Sequence, residues 1–455
     1  MAQQSNNHQS GVNDAALTTT VAVVGAGISG LIAARTLHRQ GIEVVVLESA
    51  PRIGGRVQAE TTAVGSRVDL GGQWVGHGHH RFAALASEVG ATVYPMRTPK
   101  RPVIMRGGTS MSMAGSASLL ATAALAAWEL RAKVGPPARW NSLSVQDWLR
   151  RVPSAAAREV LGVFVEGSVT SDPADLSMAS LMMMVRHEGG LATMLATSGG
   201  AQDSLVLEGA GTLAERVADE LGARVLTDSP VVAIGRDSGG VTLQTPVRTV
   251  RAAAVIVTVP PPLVPTIAFD PPLPQERITM QQNMVMGSVY KAVAVYPEPF
   301  WRAHGDAEAI VVDAPGSAVF DTSPPDGPGH LCILVGGRSA HAFDGLDQAA
   351  RKKLALEPLV DVVGSDQVLQ PVSYHDKSWH LDAHAGGGYA AVPVLGSDLA
   401  LPLPSAPIDD VLFWAGTEMA SEHAGYIEGA LESGERAAAE VIGALDARQS
   451  TGAPA

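Results

Sequence analysis

Residues 21–37, VAVVGAGISGLIAARTL, constrain this chain more than any other stretch. Residues 21–24 are apolar and end on a glycine, the pattern of a buried parallel strand. Residues 28–40 have helical periodicity, and residues 43–47, EVVVL, form a second apolar run. Together they predict a strand–helix–strand unit of about thirty residues. Gly25, Gly27 and Gly30 stand between strand and helix as G-x-G-x-x-G. The first glycine permits the tight turn, the second lets backbone approach a pyrophosphate, and the third lets helix pack on strand. The helix N-terminus adds free N–H groups and a partial positive charge. Glu48 lies 18 residues after Gly30, where a carboxylate accepts hydrogen bonds from a ribose. Taken alone the motif is weak, and a nucleotide-free turn with a solvated glutamate is the bland alternative. A strand before it, a helix after it and the acid beyond favour a Rossmann-type dinucleotide site.

The motif does not distinguish FAD from NAD, but the next segments do. Residues 49–57, SAPRIGGRV, bring a second glycine pair and an arginine directly after the ribose acid. Residues 69–76, DLGGQWVG, bring a third glycine pair. A nicotinamide domain has no use for these, whereas a bulky isoalloxazine must lie close to backbone. Gly55, Arg56, Gly72 and Trp74 are therefore candidate cofactor contacts, with Arg56 suited to a pyrophosphate or a carbonyl edge.

Elsewhere residues 119–134, 145–151, 155–167 and 213–221 read as helices, and residues 231–234, 241–245, 254–259, 289–296 and 411–414 as strands. A helix is expected from about 426 to 445. The 455-residue length argues for two domains, and 46% hydrophobic residues can fill a sizeable core. A net charge of -13 argues against nucleic acid and anionic membrane surfaces. The single cysteine, Cys332, permits no internal disulfide and points to a cytoplasmic location. The polar start and tail carry neither a secretory signal nor a membrane anchor, and the Ala-rich run 117–128 is too short to span a bilayer.

Several blocks in order, GAGISGL, ESAPRIGGRV, DLGGQWVG, GSVYKAVAVYPEPFWR and AGTEMASEHAGYIEGALESGERAA, make the chain resemble the flavin-containing monoamine oxidase family, which also holds putrescine and polyamine oxidases. The resemblance runs from Val21 to Ile442. It implies an α/β fold with a Rossmann-type FAD-binding domain and a discontinuous α+β substrate domain. The expected division gives residues 17–95, 206–280 and 396–446 to FAD, and 96–205 and 281–395 to substrate. Disordered ends are expected at 1–16 and 447–455. The resemblance places adenine at the Val231 backbone, phosphates beside Gly416 and Thr417, and the flavin's pyrimidine edge at the Ile427 N–H. It makes Tyr389 and Tyr426 an aromatic cage for the amine nitrogen, and Lys291 the residue that assists oxygen near flavin N5. It puts Gln202 in the amine pocket. The implied reaction oxidises an amine to an imine, with oxygen reduced to hydrogen peroxide.

Each reading has a plainer competitor. The tyrosines could be core residues, Lys291 a solvated lysine on an edge strand, and Gln202 a loop residue. Met182, Met183 and Met184 could line a pocket or fill a helix core. His77, His79 and His80 fit a solvated loop better than a metal site, and no metal is expected. Mammalian relatives attach FAD through a cysteine where this chain has Gly388, so FAD is expected to be noncovalent. His423 stands where those enzymes have tryptophan, which bears on substrate preference. An isomerase, or a flavin binder without turnover, is the alternative on the same fold. The particular amine is not legible in the sequence, and a homodimer and a monomer both stay open.

Overall fold

The computed structural model describes residues 16–97, 103–112, 114–303, 309–312 and 314–451. Residues 1–15 of the expected lead-in at 1–16, and 452–455 of the expected tail, lie outside that range.

The N-terminal strand Leu17–Val24 sits inside an eight-stranded sheet. It runs parallel to Val44–Leu47 on one side and to Thr249–Val257 on the other. Leu412–Trp414 also pairs in parallel with Thr249–Val257, so the two ends of the chain meet in one sheet. Both faces of this sheet are covered, which explains the unbroken apolar runs. Val21 and Val23 face the helices Ile28–Arg39, Gly211–Leu221 and Ile427–Thr451. Ala22 and Val24 face a second core that contains Trp414 and Met280.

A second sheet has seven strands, in the order Ser373–Ser378, Val289–Tyr296, Gly329–Gly336, Ser317–Asp321, Ala309–Val312, Val103–Arg106 and Thr109–Ser110. Val289–Tyr296 lies between two antiparallel neighbours, and all eight of its residues are buried. Both of its faces are dry, so Lys291 is buried with its apolar neighbours. The helices Ser116–Val134, Ala155–Val169 and Met178–His187 form a separate packed unit around Trp128, Leu161 and Leu181. Two of them start on serine caps, Ser154 Oγ accepting from Ala157 N and Ser177 Oγ from Ser180 N.

Some expected boundaries move. The final helix continues to Thr451, past the expected end at 445–446, so residues 447–451 are helical. Arg448 explains this: its guanidinium donates to the carbonyls of Ala253 and Asp410, at 3.1 and 2.7 Å, and ties the last turn to the sheet. The strand expected at 231–234 instead begins at Ala233. Among the described residues no helix is long and apolar enough to cross a membrane.

Candidate active site

One cavity of about 1020 Å³ reaches from the glycine turn to the tyrosines. That volume matches the upper range for small-molecule and cofactor sites. Gly25, Gly27, Glu48, Gly55, Arg56, Gly72, Trp74, Gln202, Val231, Lys291, Tyr389, Gly416, Thr417, Tyr426 and Ile427 all line it. Gly30 does not. A Cβ there would stand 2.0 Å from the Gly25 carbonyl oxygen, so this glycine serves helix packing, as its place in the motif predicts.

The end of the cavity at the glycine turn is built from backbone. The helix Ile28–Arg39 starts at Gly27 with no side-chain cap and no acid in its first turn, so its amides face the cavity beside Gly27, Ile28 and Ser29. A Cβ on Gly27 would meet only Gly55 Cα, at 3.9 Å, and otherwise the open cavity. This cradle fits a phosphate-bearing group. Glu48 is buried, accepting from Ala26 N at 2.7 Å and Ala50 N at 2.8 Å, which fixes its carboxylate at the cavity wall.

Arg56 is held by a partner that sequence reasoning missed. Its guanidinium pairs with Glu418, with contacts of 2.6 and 3.2 Å, and donates to the Tyr389 carbonyl at 3.0 Å. Burial alone would raise the Glu418 carboxyl, but the charge and hydrogen bonds of Arg56 hold it below its ordinary value. Glu418 also accepts from Ala391 N at 3.0 Å, so this ion pair fixes the backbone that follows Tyr389. The signal was adjacent, in the AGTE block. Thr417 points its hydroxyl at the Tyr426 turn, donating to Tyr426 O at 2.8 Å and accepting from Gly425 N at 2.7 Å.

Lys291 is 3% exposed, which removes the solvated-edge alternative. Its ammonium donates to Gly71 O at 2.8 Å and to Gln73 Oε1, and lies 5.6 Å from the Trp74 ring centre. Burial lowers its pKa, opposed by the nearby Cys332 and Asp69. Asp69 is itself buried and raised by that burial, with Lys291 and the amides of Ala210 and Gly211 opposing. Asp69 and Gln73 belong to the DLGGQWVG block, whose local pattern gives no sign of these partners.

Tyr389 follows a cis Gly388–Tyr389 peptide. Its hydroxyl donates to Gly167 O at 3.1 Å, and its amide to Thr170 Oγ1 at 3.0 Å. Tyr426 packs edge-on against His79, with ring centres 5.3 Å apart. Both rings line the cavity, although each is mostly buried. His79 corrects the solvated-loop reading: it is 3% exposed, accepts from Gly76 N at 2.9 Å, and burial lowers its pKa to about 3. His77 and His80 are exposed. Ligand-type side chains converge at another place, where His341 and His380 each lie 2.8 Å from an Asp344 oxygen. The methionines divide: Met182 is in the helical core and Met184 lines the cavity. Cys332, remote from Tyr389 in sequence, is close to Lys291 and Gln73 in space but is not on the cavity wall.

The chain is similar along most of its length to known flavin-containing amine oxidases. A Mycobacterium tuberculosis protein assigned as a flavin-containing monoamine oxidase is 37% identical, over 94% of this chain and 97% of that protein. Human flavin-containing amine oxidase B is 32% identical over 93% of this chain and 86% of its own length. The solved structure of cyclohexylamine oxidase from Brevibacterium oxydans superposes with a TM-score of 0.87 at 28% identity, over 94% of this chain and 99% of that one. Putrescine oxidase bound to putrescine gives 0.84 at 27%, with the same coverage. The sequence model of the family described as flavin containing amine oxidoreductase matches residues 28–442, and the chain belongs to that family.

Proposed function

We propose that this chain is an FAD-dependent amine oxidase that converts an amine to an imine, which hydrolyses to an aldehyde or ketone, with oxygen as acceptor and hydrogen peroxide as product. The observation that carries this reading is that one continuous cavity joins the uncapped glycine turn to Lys291, Tyr389 and Tyr426. In the proposed division, residues 17–95, 206–280 and 396–446 hold FAD, and 96–205 and 281–395 close over the substrate. FAD, when bound, supplies the acceptor for the hydride equivalent lost from the carbon beside nitrogen and later passes electrons to oxygen.

The chain's own residues hold, orient and exclude. Gly25, Gly27 and the first amides of the Ile28–Arg39 helix would take the pyrophosphate, Glu48 the ribose, and the Val231 backbone the adenine. Gly55, Arg56, Gly72, Trp74, Gly416, Thr417 and the Ile427 amide would surround the rest of the cofactor. Tyr389 and Tyr426 present ring faces that favour an amine nitrogen and restrict its approach. Gln202 adds a polar contact to a wall that is otherwise mostly apolar. Anaerobic mixing with a panel of amines tests the reading: a substrate bleaches the yellow colour until air is admitted, and a panel with no bleaching refutes it. In the same assay Tyr389→Leu and Tyr426→Leu should each slow bleaching about tenfold to a hundredfold, roughly 1.4–2.7 kcal/mol of lost placement. Unchanged rates in both would make the tyrosines core residues.

FAD is proposed to be noncovalent. Gly388 offers no thiol beside Tyr389, and the Cys332 thiol is buried away from the cavity wall. Acid precipitation should release all the colour to the supernatant, and yellow left in the washed pellet contradicts this.

A further inference from the structure

One cluster of ligand-type side chains lies outside the cavity, and the proposed reaction does not use it. The strands Gly329–Gly336 and Ser373–Ser378 flank Val289–Tyr296 on opposite sides, and both run antiparallel to it. Gly336 pairs with Val289 and Ser378 with Tyr290, so both strands leave the sheet at the same end. The turns that follow them, Gly337–Phe343 and Trp379–Leu381, therefore come together. They bring His341 Nδ1 to 2.8 Å from Asp344 Oδ2, and His380 Nε2 to 2.8 Å from Asp344 Oδ1. The two imidazoles meet edge to face with ring centres 4.5 Å apart, and ligand atoms of all three residues lie within 4.8 Å of one another.

Both turns are anchored in the fold. Phe343 stacks on Tyr290 with ring centres 3.9 Å apart, and Trp379 Nε1 donates to Leu70 O at 2.6 Å. The His380 side chain is 7% exposed and so is held in place, whereas His341, at 52%, leaves one side of the cluster open to water. Burial alone would raise the Asp344 carboxyl, but hydrogen bonds from both histidines hold it below its ordinary value. Asp344 is thus an anion at neutral pH, and among the described residues no lysine or arginine pairs with it.

We propose that His341, Asp344 and His380 bind one divalent transition-metal ion of the zinc class, with water completing its coordination. Zinc takes imidazole nitrogen and carboxylate oxygen at about 2.0–2.2 Å, so donors this close share one ion after a small side-chain adjustment. Two nitrogens among three donors favour Zn²⁺, Ni²⁺ or Cu²⁺ over Mg²⁺ and Ca²⁺, which take oxygen. None of the three residues lines the cavity, so the ion's role is structural. It clips the two turns together beside the start of the strand that carries Lys291.

The test uses the purified, flavin-loaded chain after dialysis against a chelator. Calorimetric titration with Zn²⁺ should show one site of micromolar or tighter affinity, and binding should raise the unfolding temperature. His341→Ala, a change at an exposed ring, should keep the parent's fold and weaken binding at least about tenfold to a hundredfold. Cu²⁺ in place of Zn²⁺, with the flavin oxidised, should give an EPR spectrum split by two nitrogens in the parent and by one in His341→Ala. The double variant His77→Ala, His80→Ala removes the exposed histidines of another loop and should bind as the parent does. No Zn²⁺ binding in that range overturns the proposal, as does unchanged affinity in His341→Ala. Loss of binding in the double variant, or equal competition by Mg²⁺, overturns it too. The three residues would then be a hydrogen-bonded cluster only.

Discussion

Gly27→Val is expected to yield a folded, colourless protein. The backbone at Gly27 has φ -69° and ψ 173°, which any L-residue adopts. A Cβ there meets nothing closer than Gly55 Cα at 3.9 Å, so the fold has no objection to a side chain. The valine methyls would instead occupy the space in front of the uncapped helix amides, where a pyrophosphate must come within hydrogen-bond distance. Retention of FAD should fall below detection after gel filtration, while the variant's unfolding temperature stays within a few degrees of the parent apoprotein. Gly30→Ala is the contrasting control. Its Cβ would stand 2.0 Å from Gly25 O, so it should damage the fold itself. A Gly27→Val protein that keeps stoichiometric FAD would show that the turn is not the phosphate site.

Lys291→Met should slow the oxygen half of the cycle far more than the amine half. The ammonium is buried, and its charge is the nearest fixed cation that the Val289–Tyr296 strand supplies to the cavity. A preorganised cation in a dry site stabilises negative charge developing on oxygen, and removing one such donor costs about a hundredfold or more, roughly 2.7 kcal/mol. Methionine conserves volume, but it leaves Gly71 O and Gln73 Oε1 without their donor, a further cost of about 1–3 kcal/mol in stability. Stopped-flow measurement separates the two half-reactions. Because burial lowers the lysine pKa below its ordinary 10.5, the cationic form is lost earlier than in a free lysine. The parent's reoxidation rate should therefore be high at low pH and fall as pH rises through that lowered pKa, and the variant should lack this fall. Equal reoxidation rates in parent and variant would remove Lys291 from the oxygen step.

The glycine turn at one end of the cavity was legible in the residues because its demands are local. The tight turn at Gly25, the open face at Gly27 and the close packing at Gly30 are steric requirements on single positions, and each appears as a glycine at fixed spacing. Lys291 was legible for a related reason, as a charge among apolar neighbours in a strand that is buried throughout. The adjoining strands Ser317–Asp321, Gly329–Gly336 and Ser373–Ser378 were not read from the sequence, because their pairing joins segments whose local patterns do not announce each other.

The end of the cavity at Tyr389 and Tyr426 was decided by tertiary packing. Glu418 binds Arg56 across 362 residues, and Thr170 receives the Tyr389 amide across 219. No spacing encodes such meetings. The same holds for His79, which looked like a solvated loop histidine and is buried against Tyr426 and His423. Glu188 likewise sits in an unremarked VRHEGG segment and meets His423 only in the fold. The sequence determined by itself the dinucleotide turn, its flanking strands and the isolated charge of Lys291, since backbone sterics and desolvation act on each residue where it stands. Only the tertiary structure decided which carboxylates face the cavity, because burial and pairing belong to the packed arrangement of distant segments rather than to any one of them.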